Sequence, residues 1–150
     1  MSHHQHQHHN HNHTQYKFDI PEYHEDQIIP GSPKKFGPGT WWILHLMAYH
    51  VTQKSQINDF VKFVHYIAAN IPCPTCRGHA TAYLEDNDGS KYVNMMEYGR
   101  NVGMFVWMSD FHNEVNQRHG KTIIPWREAF AEYDKNNREW DSYKMPANIV

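Results

Sequence analysis

Residues 57–76 read INDFVKFVHYIAANIPCPTC. Ile57, Phe60, Val61, Val64 and Ala68 recur at three- and four-residue intervals, so an α-helix starting at or near Asn58 gathers them on one face. Pro72 ends that helix, because the residue before a proline is pushed out of the helical region. The cysteines of Cys73-Pro74-Thr75-Cys76 follow at once. A proline suits the first turn of a helix, where the N–H groups have no intrahelical partner. A third, short helix is therefore expected from the cysteine pair through His79 and Tyr83 to the turn at Asn87-Asp88-Gly89.

Working outward, Trp41, Leu44, Ala48 and Val51 repeat at helical spacing behind Thr40, which is read as an N-cap, and predict a first helix. Residues 16–38 carry Pro21, Pro30, Pro33, Pro38, Gly31 and Gly37, a density that predicts an extended lead-in. Lys91 to about His119 reads as one long helix with Val102, Phe105, Val106, Met108 and Val115 among its apolar positions. Gly120 is its C-terminal stop, and Gly99 and Gly103 are points of close helix approach. Pro125 opens a last short helix carrying Trp126, Phe130 and Tyr133, and residues 136–150 read as a tail. No run alternates with period two over a strand's length. The fold class is all-α: a four-helix bundle with a fifth short helix, in one domain over residues 39–135.

The chain has 150 residues and is 39% hydrophobic, enough for one compact core. Seven of its fourteen histidines fall in the first fifteen residues among Gln and Asn. That tract is expected to be disordered, as an affinity tag or a natural metal-binding segment, and is set aside from active-site reasoning. No stretch approaches the roughly 20 apolar residues of a membrane span, and no signal-like start is present, so an intracellular, soluble protein is expected. A net charge of −2 without a basic stripe speaks against nucleic acid.

The chain contains two cysteines, too few for a disulfide framework and spaced for redox work. One thiolate attacks while the other is close enough to close a ring, and a helix N-terminus favours the thiolate form. The competing reading is a zinc-stabilised helical interaction module, with Cys73, Cys76 and His79 as three ligands and a distant His as the fourth. The spacing favours redox, since no second cysteine pair exists. A dithiol needs a cofactor to pass two electrons to oxygen, and flavin is the natural candidate. Trp41, Trp42, His45, His65, Tyr66, Trp107, His112 and Trp126 would suit a planar ring system, although aromatic positions at helical spacing also serve as plain core.

Three blocks over residues 36–133 carry a family resemblance: Gly37-x3-Trp41-x2-Leu44-His45; His65 eight residues before Cys73-x2-Cys76; and Trp107-x4-His112-Asn113-x-Val115-Asn116-x3-Gly120-Lys121. In this order they resemble the Erv/ALR FAD-linked sulfhydryl oxidases, which include enzymes of large cytoplasmic DNA viruses. The resemblance implies a usually dimeric bundle with FAD at its mouth, and electron flow from dithiol to flavin to oxygen, giving hydrogen peroxide. It implies that Cys76 is the flavin-proximal cysteine and that Cys73 exchanges with the substrate thiol. Trp41, His45 and His65 would line the flavin, and Trp107, His112, Asn113, Asn116 and Lys121 would hold the adenosine diphosphate portion. Gly37, Thr40, Val115 and Tyr133 complete the cofactor-binding set.

Many relatives carry further cysteines, as a shuttle pair or as a bridge tying down the last helix, and this sequence has neither. Substrate is then expected to reach Cys73 directly, which points to a small thioredoxin-like dithiol partner. Packing by Trp126 and Phe130 would replace the bridge. A reduced viral member working in the cytoplasm fits this pattern, with the mitochondrial intermembrane space as the alternative.

Overall fold

The computed structural model describes residues 31–142, with side chains described up to residue 135. The His-rich tract and the last eight residues lie outside this range. The described residues form five α-helices: α1 (Pro33–His50), α2 (Lys54–Asn70), α3 (Pro74–Asp86), α4 (Gly103–Arg118) and α5 (Trp126–Ser142). The expected all-α fold is what forms.

Helix α4 is the centre of the bundle. Gly103 to Ser109 are buried without interruption, and Met104, Phe105, Trp107 and Met108 are wholly enclosed. A helix apolar on all sides needs cover on all sides, and α1, α5 and a 3-10 turn at Gly89–Tyr92 pack against it while α2 pairs with α3. On α2 the residues turned inward are Ile57, Phe60, Val64 and Ala68, as the spacing predicts.

The structure corrects three boundaries. Helix α1 begins at Pro33, not after an extended lead-in ending at residue 38. Pro33 occupies a first-turn position and needs no N–H. Pro38 forfeits only a bond to the carbonyl of Lys34, an exposed residue that water can satisfy. Thr40 is accordingly no N-cap; it lies mid-helix, with its hydroxyl donating to Phe36 O at 3.0 Å.

The long helix expected from Lys91 starts only at Gly103. Before it come the 3-10 turn and a two-stranded hairpin, β1 (Met96–Glu97) paired antiparallel with β2 (Arg100–Asn101). Tyr98 (φ 54) and Gly99 (φ 71) make the turn, the two consecutive left-handed residues that a tight hairpin needs. Gly99 therefore serves the turn and not a helix contact. Gly103 does allow close approach, to a carbonyl: a Cβ there would overlap Tyr92 O and lie 2.8 Å from Tyr92 C. Asn101 Oδ1 accepts the Gly103 N–H at 2.8 Å and starts α4.

Helix α5 spans 17 residues and is not short. Residues 136–142, read as tail, continue it, because no Gly or Pro follows Pro125 until Pro146. Gly120 (φ 63) ends α4 as expected, with Gly120 N–H on Gln117 O and Lys121 N–H on Asn116 O at 2.8 Å.

Two glycine substitutions should separate these local demands in urea unfolding. Gly103→Ala is expected to cost about 1–3 kcal/mol, because the backbone of Tyr92 must give way. Gly39→Ala, mid-helix with nothing within 4 Å of its Cβ position, should stabilise the protein by about 0.5–1 kcal/mol.

Candidate active site

Cys73 is the N-cap of α3, and Pro74 takes the first helical position. The two cysteines are joined as a disulfide, with Cα atoms 5.2 Å apart. The Cys76 N–H points at Cys73 Sγ at 3.2 Å, and the Arg77 N–H donates to Cys73 O at 2.9 Å. After reduction this N–H and the positive helix end favour a thiolate on Cys73. The zinc reading gains no support: the two sulfurs are bonded to each other, His79 is exposed, and no set of three His, Cys, Asp or Glu converges among the described residues.

Helical periodicity puts Cys76, Ala80 and Tyr83 on one stripe of α3, with Cys76 and Tyr83 about 10 Å apart along the axis. Tyr83 stacks on Phe111 of α4 (5.0 Å between centroids, 6° between planes), and Phe111 meets Trp41 of α1 edge-on at 5.2 Å. Trp41 in turn stacks on His112 at 4.3 Å and 8°. A continuous aromatic path thus leads from the helix that bears the disulfide to a cleft at the far side of α4.

That cleft, about 310 Å³, lies between α1, α4 and α5, and its walls include His45, Ser109, His112, Asn116, Glu128 and Tyr133. His45 lies 5.3 Å from both His112 and Tyr133, stacked on the latter. Burial holds the His45 pKa below the ordinary imidazole value, against the opposing hydrogen bond to Trp41 O. Because that carbonyl only accepts, Nδ1 carries the proton at 2.9 Å and Nε2 keeps its lone pair. Burial, then the charges of His45 and Lys121, push His112 down to about 4. Burial pushes the Tyr133 phenol up to about 12. At neutral pH the cleft therefore presents two uncharged imidazoles and an intact phenol.

Of the residues expected at a cofactor, the structure brings Trp41, His45, His112, Asn113, Asn116 and Tyr133 together, with Lys121 close enough to act on His112. Asn113 carries a second duty: its Nδ2 donates to Ile124 O at 2.7 Å and its Oδ1 accepts from Ile124 N at 3.1 Å, clamping the segment that leads into α5.

The remaining expected residues are elsewhere. Trp107 is wholly buried, with its indole N–H on Asn87 O at 2.7 Å. His65 packs beside Trp107 and faces Asp88 at 3.5 Å. Val115 packs against the core, Thr40 bonds within α1, and nothing stands within 4 Å of a Cβ at Gly37. Sequence reasoning missed Ser109, Glu128, Glu132, Tyr83 and Phe111. Ser109 was within reach, since Ser109, His112, Asn113 and Asn116 form one stripe of α4. The carboxylates of α5 face the cleft only because of how that helix docks.

The sequence profile of the Erv1 / Alr family matches residues 38–140. The chain is 29% identical over 104 residues to the FAD-linked sulfhydryl oxidase of African swine fever virus (isolate Pig/Kenya/KEN-50/1950), covering 67% of this chain and 82% of that protein. It is 27% identical over 93 residues to the mitochondrial FAD-linked sulfhydryl oxidase erv1 of Schizosaccharomyces pombe, covering 60% of this chain and 48% of that protein. The crystal structure of the yeast Erv1 core superposes with a TM-score of 0.56 at 18% identity, covering 88% of this chain and 99% of that chain, a likeness of fold. With the family profile matched over more than half of its length, this chain belongs to the Erv1 / Alr family.

Proposed function

We propose that this protein is an FAD-dependent thiol oxidase that forms disulfides in a dithiol protein. The observation that carries the reading is the Cys73–Cys76 disulfide at the N-terminus of α3, joined through Tyr83, Phe111 and Trp41 to an imidazole-lined cleft.

The donor set of that cleft fits a flavin dinucleotide. Trp41 and Tyr133 offer flat faces, His45 Nε2 offers an acceptor, Asn116 offers an amide, and Lys121 offers a cation for a diphosphate. Neutral His45 and His112 leave those faces free of charge. Asn113, at the cleft, also holds the α5 connection. The chemistry FAD supplies when bound is acceptance of two electrons from the dithiol and their return to oxygen as hydrogen peroxide.

The chain's own part is thiol–disulfide exchange. A substrate thiolate attacks Cys73 Sγ, the Cys73–Cys76 bond breaks, and Cys76 leaves as thiolate. The second substrate thiolate then attacks the substrate sulfur of the mixed disulfide. Cys73 leaves as a thiolate favoured by the Cys76 N–H and the end of α3. The substrate leaves as a disulfide, its two electrons remain on Cys73 and Cys76, and its two protons go to solvent or to those thiolates. With no shuttle pair in this sequence, the substrate is a small redox protein whose own thiols reach Cys73, and a homodimer working in the cytoplasm is the assembly that the resemblance favours.

Two measurements check this reading. Purified protein reconstituted with FAD should show a flavin spectrum and consume oxygen when given a dithiol; Cys73→Ser and Cys76→Ser should each abolish that uptake while FAD stays bound, and activity retained by either variant overturns the cysteine roles. The pH dependence of stability has a definite sign. His112 titrates lower in the folded protein, at about 4, than the ordinary 6.5, so the unfolded chain binds its proton first. Stability should thus fall as pH drops from about 6.5 to about 4, by at most about 2 kcal/mol after allowance for partial exposure. His112→Phe should flatten that slope in urea titrations at several pH values.

A further inference from the structure

The hairpin that interrupts the expected long helix makes its side-chain contacts chiefly with α5. Glu97 receives both Arg127 Nε (2.8 Å) and Arg127 Nη2 (2.9 Å), a bidentate pair. Tyr98 stacks on Phe130 at 5.5 Å and 23°, and Arg100 lies 4.3 Å over Tyr49 and 5.8 Å from Phe130 while donating to Tyr49 O. Each residue from 97 to 100 that carries a side chain thus meets α5 itself or the aromatic group around Phe130.

The turn is chemically expensive in its choice of residue. Tyr98 holds a left-handed backbone (φ 54) at a position where Asn, Asp or Gly is the usual occupant. The stack on Phe130 is what the tyrosine gains there. A local preference broken in favour of one tertiary contact marks that contact as the hairpin's purpose.

Helix α5 forms one wall of the cofactor cleft, through Glu128, Ala129, Glu132 and Tyr133. The cleft as it stands, about 310 Å³, is at the small end of the range for small-molecule sites. A dinucleotide with two ring systems needs more room than that. Of the walls, α1 and α4 share the buried core. Helix α5 packs on that core through the buried ring of Phe130 and through Tyr133, which meets Trp42, His45 and Phe105; from outside it is held by the Asn113 clamp at its entry, a Tyr49–Asp134 hydrogen bond of 2.7 Å and the hairpin. The Arg127 side chain is 61% exposed, so water can compete for its partner.

We propose that the hairpin Met96–Asn101 is a clasp that closes α5 over the cofactor cleft, with the Glu97–Arg127 pair as its releasable latch. Cofactor enters and leaves by opening of α5, and the residues that set the rate lie outside the cleft. This rests on the FAD reading above. Among the described residues no covalent bridge ties α5 down; to the packing of Phe130 and Tyr133 the hairpin adds a bidentate ion pair and a ring stack, and both can reopen.

The test uses the full chain loaded with FAD, following release by the recovery of flavin fluorescence after dilution, and separately the amide hydrogen exchange of residues 126–135 in FAD-free protein. Glu97→Arg and Arg127→Glu should each speed release by about fivefold, the scale of one exposed ion pair, and raise exchange in α5. The double swap should restore both. Tyr98→Asn suits the turn better and loses the stack, so it should leave the melting temperature unchanged and still speed release, which a purely structural hairpin would not do. Unchanged release and unchanged α5 exchange in Glu97→Arg and Tyr98→Asn overturn the clasp. Protein that takes up no FAD overturns the oxidase reading instead, and the exchange experiment then decides the clasp alone by the same criterion.

Discussion

Everything in this fold answers to the burial of α4. From Gly103 to Ser109 the helix has no face that water can reach, and its largest side chains, Trp107 and Phe105, are closed in completely. Such a segment is stable only when other elements cover its whole circumference. The 3-10 turn fits one side so closely that a Cβ at Gly89 would come 2.8 Å from Val61 and 3.0 Å from Trp107. A Cβ at Gly103 would collide with the Tyr92 carbonyl. Interiors packed at this density leave little freedom in how α1, α2 and α5 are placed.

The site arises where that constraint relaxes. Past Ser109 the inward stripe of α4 turns polar, with His112, Asn113 and Asn116 in place of Phe and Met. Polar groups cannot be sealed into an apolar core without partners, so the bundle opens there into a cleft. The imidazoles that remain are half-buried or buried, and desolvation keeps them uncharged. The same transition along one helix thus divides the core that holds the protein together from the pocket that suits a flat, polar-edged cofactor.

The disulfide is placed by a different principle. It sits at a helix start, where unpaired N–H groups are available and a proline costs nothing. Reactive sulfur is thereby kept at the rim while its helix reaches inward: Tyr83, two turns along, is already part of the aromatic path to the cleft. Disulfide and cleft are connected by packing that is itself part of the fold.

The helices, the redox pair and the histidine-asparagine stripe were legible in the amino-acid sequence because each depends on residues near one another in the chain. Periodicity exposed the inward face of α2, Pro74 marked the start of α3, Gly120 marked the end of α4, and His112, Asn113 and Asn116 stood out through the motif that carries the family resemblance. The tertiary structure alone decided the rest. The Tyr98-Gly99 turn competes with a helical reading that is locally as good, and it wins through the Phe130 stack and the fit of Gly103 against Tyr92. Trp107 matched a cofactor motif by spacing, yet its ring is turned into the core. Glu128 and Glu132 face the cleft only because α5 docks there. Contacts between residues 30 or more apart, such as Glu97 with Arg127, leave no period in the sequence, and it is these that determine which side of each helix meets the site.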